Sequence, residues 1–365
     1  MSKHDLGALY APYRAERFSV LVLDGQDRPL GDEYDITGGD LTFSTDARIK
    51  GGGQVTVKAH HPAEWWGTKR FQVWAHVNTY AWPLGVFLPS SPVNDHSGNG
   101  VSYSIDLQDK LLVLDQDHIE AALSIPTGTN LVDYIVALIR DAGERKVAIT
   151  PSPKENKRPL VWDAGTPKLT IVNDILDYIG YFSLTCNGNG QYVASPYVVP
   201  AERPVGWEFW EGDRALFTPE YTHEQDLMNI PNKIVYICQS SGFVEGPFGV
   251  DIVETPMLIG VAKNEDPASP YSFQNRGRWI TETKTDIEAE SQEIIDKMAL
   301  TRLENAMDPL TKVTAEAALL PLTLNDVVHF RTEFYDMFMS VRKFDMELRP
   351  GELMQVTLRK VNRED

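Results

Sequence analysis

Lys343-Phe344-Asp345-Met346-Glu347-Leu348-Arg349, then Pro350-Gly351, then Met354-Gln355-Val356-Thr357-Leu358-Arg359, is the stretch from which the fold of this 365-residue chain is read. Phe344, Met346 and Leu348 alternate with Lys343, Asp345, Glu347 and Arg349. Met354, Val356 and Leu358 alternate with Gln355, Thr357 and Arg359 on the way back. A period of two sends alternate side chains to opposite faces of a strand. Pro350 supplies the fixed φ and Gly351 the positive φ of a type II turn. The stretch therefore predicts an antiparallel hairpin with one buried and one wet face.

The same texture fills the first third of the chain. Phe18 to Asp24, Leu41 to Ser44, Gln54 to Lys58, Phe71 to Val77, Tyr80 to Leu88 and Gly100 to Leu107 read as six strands. Turn clusters stand between them at Asp24-Gly25, Gly38-Gly39, Gly51-Gly52-Gly53 and Ser97-Gly98-Asn99-Gly100. Short strands at this spacing predict an antiparallel barrel or sandwich.

Near residue 119 the period changes. Thr129 to Gly143 carries Leu131, Ile135, Leu138 and Ile139 at helical spacing, followed by Val147-Ala148-Ile149 as a strand. Thr166 to Gly180 carries Leu169, Val172, Leu176 and Ile179 likewise, followed by Phe182 to Cys186. The second unit repeats the first at an offset of 37 residues. Thr166 suits an N-cap and Pro167 the first helical position; Gly143 and Gly180 suit the position past each helix end. This predicts a small α/β module, its two units joined by an exposed loop over Pro151–Pro159. Gly188-Asn189-Gly190 reads as a hairpin turn. Beyond it come an aromatic stretch (Trp207, Phe209, Trp210), a strand at Ile234–Cys238, a polar loop at Asn264–Ser272, and a helix over 286–306 with Ile287, Ile294, Ile295 and Met298 on one stripe.

Composition bounds the function. A chain of 365 residues, 42% hydrophobic, builds several cores and calls for two to four domains. No apolar run approaches the roughly 18 to 20 residues that span a bilayer, and Met1 to Arg17 has no signal-peptide pattern. The formal charge of −18 argues against a basic nucleic-acid grip. Cys186 and Cys238 lie 52 residues apart without ligand spacing and read as buried small hydrophobes.

The chemistry-bearing residues make no catalytic pattern. Phosphate-cradling, dinucleotide, nucleophile-elbow and zinc motifs are missing from the sequence. His60 and His61 are adjacent, so on a strand they point to opposite faces and share a metal poorly. His76 and His329 sit in apolar strand contexts. Glu208 with Glu211, or Asp115 with Asp117, are the carboxylate pairs a glycosidase would need, but 52 acidic residues make such pairs by chance. Trp65, Trp66, Tyr80, Trp82, Trp207 and Trp210 would stack on sugars if exposed; burial at a domain or subunit junction is the competing reading. No catalytic, cofactor-binding or metal residue is assigned.

In the order of its elements the chain resembles the baseplate or tail-tip hub proteins of tailed phages, the minor tail proteins of long-tailed phages in particular. The residues that carry the likeness are Glu16 to Asp24 with Gly39 to Ser44, Gly51 to Val57, Pro83 to Ser90, Asp109 to Leu112, the repeated Gly-Thr helix, Ile230 to Tyr236, and Leu322 to Val328. In the last of these Asn325 stands where a glycine is usual, and Asn also tolerates positive φ. The resemblance implies a mainly β chain with an α/β insertion: two tube-like antiparallel β-barrel domains plus a small α/β module. Its expected borders are an N-terminal arm over 1–16, a first barrel over 17–118 completed by 225–245, the module over 119–224, and a second barrel over 246–365 that includes the helix and the hairpin. It also implies a homotrimer around a DNA channel and assembly in the host cytoplasm. The expected place is the virion tail tip, beside a distal tail ring, the tube, and a fibre or spike. Stable membrane insertion, a cofactor, enzymatic activity and a C-terminal lytic extension are not expected. A carbohydrate-binding adhesin of the virion is the alternative, and a cell-wall hydrolase a third.

Overall fold

The structure is a computed structural model. It describes all residues except 1–6, 12, 59–65, 98–99, 158, 213–214, 227, 239–240, 247–248, 255–257, 286–291, 307–309 and 362–365. The protein is mainly β and divides into two compact units, residues 1–222 with 313–365, and residues 223–312.

Six strands open the first unit: β1 Glu16–Leu23, β2 Pro29–Ser44, β3 Gly51–Lys58, β4 Arg70–Val77, β5 Tyr80–Ser97 and β6 Gly100–Asp109. Their antiparallel pairings run β1-β4-β5-β6-β3-β2 and return through β1–β2. Each strand thus has a hydrogen-bonded neighbour on both flanks, the pairing that removes sheet edges. Alternation fills the interior with Val20, Val22, Leu41, Val55, Val57, Phe71, Val73, Ile105 and Leu107, all fully buried. Trp66 stands among them, edge-on to Tyr34, Phe71 and Tyr103 at 5.3–5.9 Å between ring centres.

Two glycine clusters lie inside strands rather than in turns. Gly38 and Gly39 fall at an irregularity in β2, and Gly51–Gly53 open β3. Gly39 has φ +130°, and a Cβ there would lie 2.1 Å from the Gln54 carbonyl oxygen. The physical reason is close approach of two backbones, for which glycine serves as well as it serves a turn.

The inserted module follows: α1 Leu111–Gln116, β7 Leu123–Ile125, α2 Leu131–Asp141, β8 Val147–Ile149, β9 Leu160–Trp162, α3 Lys168–Tyr178, β10 Thr185–Cys186 and β11 Tyr192–Ala194. The parallel β8–β11 pair carries the α/β character. Leu131, Ile135, Leu138 and Ile139 of α2 meet Leu169, Val172, Ile175 and Leu176 of α3 in one core. Gly143 and Gly180 sit at φ +86° and +71°, as read. The caps differ. The Asn130 side chain accepts from Asp133 N at the start of α2. Thr166 donates its hydroxyl to the Asp163 carbonyl instead of capping α3, whose cap position is Pro167. The loop after β8 is not wholly exposed: Asn156 is buried and donates to the Ile125 and Pro126 carbonyls.

After the module come β12 Val205–Trp210 and β13 Phe217–Asp226. The second unit then forms β14 Lys233–Cys238, β15 Ser241–Gly246, β16 Gly249–Glu254, β17 Leu258–Lys263, α4 Phe273–Arg276, β18 Thr281–Lys284 and α5 Gln292–Ala306. In it, β14 pairs with β17 and β18, with Ile234, Tyr236 and Ala262 packed on Ile295, Ala299 and Leu303 of α5. Ile294 and Met298 of the expected stripe are 43% and 37% exposed; Ile287 lies outside the described residues. Gly260 lets α5 approach β17, since a Cβ there would lie 2.5 Å from the Ile295 carbonyl oxygen. Gly260→Val is expected to cost about 1–3 kcal/mol by overpacking, read as faster amide exchange along α5 with β1–β6 unchanged.

The chain returns as β19 Leu310–Ala317, β20 Val327–Arg331, β21 Asp336–Glu347 and β22 Met354–Val361. A second six-strand order results, β12-β20-β21-β22-β19-β13, and β2 joins it to the first through β21. β12 and β20 pair in parallel. The hairpin pairs Phe344 with Val356 and Met346 with Met354, its apolar face buried. Phe43 stacks on Phe344 at 4.8 Å across the joint. Asn325 adopts φ +70°. Two pairings depart from the sequence reading. Residues 225–245 do not complete the first strand group, because β14 pairs within the second unit. The second group takes β12 and β13 from the stretch assigned to the module. Strand partners are chosen by distant residues and leave no local trace.

Candidate functional site

The residues weighed in the sequence scatter. His60, His61 and Trp65 lie outside the described residues. His76 bonds Ser19 Oγ at 3.0 Å on the flank of β1 and β4, and burial holds its imidazole below the usual range. Asp115 pairs with Arg48 Nε at 2.6 Å, while Asp117 and Asp141 both take Lys168 Nζ at 2.6 Å. Burial works against the Lys168 charge, but Asp117 and Asp141 hold its ammonium above the ordinary value. Glu211 accepts from Glu333 N. Trp66 is fully buried, Trp82 and Trp207 nearly so, and Tyr80 stacks on Trp82 at 5.3 Å. Trp210 is the exception, 49% exposed.

Around Trp210 the solvent face of β12, β20 and β21 gathers side chains in register. Glu208, His329 and Phe338 form one cross-strand row; Trp210, Arg331 and Asp336 form the next. His329 reaches Glu208 through Nδ1 at 3.0 Å and Asp336 through Nε2 at 2.7 Å, and lies flat on Phe338. Asp336 is held below the usual carboxylate range, first by its hydrogen bond to His329. No cluster of metal-ligand spacing forms among the described residues.

A second row crosses the joint between the two strand groups. Asp106 of β6 faces Gln54 of β3, Gln54 faces Asp40 of β2, and Asp40 faces Glu347 of β21. Gln54 donates to Asp106 at 2.9 Å, and Thr42 donates to Asp345 beside them at 2.6 Å. Burial, then Asp345, Glu347 and Asp106, push the Asp40 carboxyl up. Like charges across strands repel.

Sequence reading missed a buried charge cluster that fixes the module to the first strand group. Arg70 donates to Asp27 at 2.7 Å and to Glu144 at 2.5 Å. Lys110 donates to Asp27 at 2.6 Å and to the Gly190 carbonyl at 2.9 Å, and pairs with Glu144 at 2.8 Å. Burial opposes the Arg70 charge, but hydrogen bonds to Glu144 and Asp27 hold it above the ordinary value. Tyr192 Oη donates to the Lys110 carbonyl, and Gln72 donates to that of Gly188. Gly188 fits because a Cβ there would lie 2.2 Å from the Pro83 carbonyl oxygen. The one sequence hint was the Asp109-Lys110 run closing a strand.

No protein-family model and no curated protein matches the chain. Among solved structures, its fold is similar to that of a tail protein from Neisseria meningitidis MC58. The TM-score there is 0.65 at 14% identity, over 94% of this chain and 96% of that one. It is similar also to the 43 kDa tail protein of prophage MuSo2 from Shewanella oneidensis, with TM-score 0.62 at 13% identity, over 94% and 98%. The prophage tail protein gp18 from Listeria monocytogenes EGD-e aligns over 95% of both chains with TM-score 0.52 at 13% identity. The chain therefore has the fold of these tail proteins.

Proposed function

We propose that this chain is a non-enzymatic structural hub of a phage tail tip. In this reading it forms a homotrimeric ring that connects the tail tube to the tip and encloses the DNA channel. The observation that carries the reading is the whole-length similarity of fold to two tail proteins, over nearly all of each chain. Two six-strand groups per chain support it. Three copies would place six barrel-like groups about an axis, a match in number to a hexameric tube. The Asp106–Gln54–Asp40–Glu347 row belongs, in this reading, to the channel wall, where repulsion keeps DNA sliding. Further tail proteins would bind above and below the ring, and DNA would touch it only in transit. The place of action would be the virion, after assembly in the host cytoplasm.

Half-exposed Trp210, flanked by Glu208, Arg331 and Asp336, favours the adhesin as the second reading. Native mass measurement separates the two. The hub is expected at three times the 41.0 kDa chain mass, and particles lacking the chain are expected to have defective tips in electron micrographs. A strict monomer that retains glycans through Trp210, with normal tips in its absence, would favour the adhesin.

A further inference from the structure

We propose that copies of this chain join head to tail: the acidic aromatic face around Trp210 of one copy docks on the basic aromatic loop around Trp279 of the next. The proposal rests on the homotrimer reading above and names the contact that would hold that trimer.

The basic surface lies in the second unit. Lys233 of β14 stands directly opposite Lys263 of β17, and like charges so placed destabilise a strand pair. Arg276 ends α4 and Arg278 follows it. Arg276 Nη1 donates to the Ile230 carbonyl at 3.1 Å, and Asn232 Nδ2 donates to that of Arg278 at 3.0 Å, which keeps both arginines beside Lys233. The acids of the loop are Glu265 and Asp266, and Asp266 accepts from Ala268 N at 2.9 Å. Glu282 of β18 is taken by Arg302. Among the described residues no acid pairs with Lys233, Lys263 or Arg278. The patch is thus positive on a chain of formal charge −18.

The same loop is aromatic and braced. Phe273 is 36% exposed and stacks on Trp279 at 4.6 Å. Lys263 lies over Trp279 at 5.6 Å, and Arg276 over Tyr271 at 4.9 Å. Asn275 donates to the Pro267 and Ser269 carbonyls at 2.9 and 2.8 Å, which fixes the loop before any partner arrives. Tyr, Trp and Arg on a preorganised segment are the make-up of interface hot spots.

The complementary surface is the face around Trp210 in the first unit. There Glu208, Glu211, Glu333 and Asp336 outnumber Arg331 and His329, while Trp210 and Phe334 are 49% and 77% exposed. Opposite charge around exposed rings matches the two surfaces. They are different surfaces of one chain, so a second copy meets them head to tail, and repeating that contact builds a ring when its rotation closes.

Native mass measurement on the full chain is the test. Wild type should be a trimer that weakens at about 0.5 M salt. Lys233→Glu with Arg278→Glu, or Glu208→Lys with Glu333→Lys, should each raise the trimer dissociation constant at least roughly a hundredfold. All four changes together exchange the signs of both surfaces and should restore the trimer. A trimer that persists in both double variants, or one that the fourfold variant fails to restore, overturns this contact and leaves the homotrimer standing. A wild-type monomer at every concentration overturns both. Should a variant fail to fold, hydroxyl-radical labelling of the wild type decides: Trp210, Phe334 and Phe273 should react more slowly in the trimer than in the diluted monomer, and equal rates overturn the contact.

Discussion

Lys110→Met lowers the stability of the chain by about 3–5 kcal/mol, the usual cost of removing one partner from a buried ion network. Lys110 is fully buried, and its ammonium meets Asp27, Glu144 and the Gly190 carbonyl within 2.9 Å. Methionine keeps the length of the side chain and deletes the charge. Asp27 and Glu144 then share Arg70 as their one buried base, with Lys146 at the rim 3.9 Å from Asp27. Denaturant unfolding should show an earlier midpoint. Adding Glu144→Gln to K110M restores one acid to one base and is expected to recover part of the loss, whereas E144Q by itself destabilises. A K110M protein within about 0.5 kcal/mol of wild type would mean that the cluster contributes nothing beyond packing.

Gly39→Ala is expected to keep the first strand group from closing, and the chain should fail to accumulate in soluble form. Its Cβ would lie 2.1 Å from the Gln54 carbonyl oxygen and 2.9 Å from Val55 Cα, both backbone atoms in a paired strand. The φ of +130° adds strain that only glycine escapes. Relief requires β2 and β3 to part, which breaks the pairings from Ile36 to Phe43. Gly38→Ala is the control, because its Cβ would meet only the Arg349 side chain at 3.8 Å. Soluble yield and thermal midpoint compare the two variants. Equal behaviour of G39A and G38A would show that the strands can separate there without loss of the fold.

The glycines illustrate what a linear reading loses. Gly38-Gly39 and Gly51-Gly52-Gly53 look like turn punctuation, and composition cannot tell a turn from a crossing of two backbones. Thr166 looks like a cap, yet Pro167 takes the cap position and the hydroxyl turns to Asp163. Ile294 and Met298 look like core, yet α5 seats Ile295, Ala299 and Leu303, since the approach at Gly260 sets which face meets the sheet. The charge cluster was illegible for a plainer reason. Asp27, Arg70, Lys110 and Glu144 are single charged residues in a chain with 86 of them, and their meeting depends on how the module docks.

Sequence alone determined the local periods. Alternation between Lys343 and Arg359 gave a hairpin, the repeat at Leu131 and Lys168 gave two helices of one module, and Asn325 accepted a positive φ. These follow from interactions within a few residues, where chain connectivity already fixes the neighbours. Tertiary structure decided the rest: that β2 turns from β1 to β21 through Gly39, that β14 pairs inside its own unit, and that Lys110 finds Glu144. Such choices rest on contacts between segments far apart along the chain, whose free energies emerge only when the backbone has brought them together.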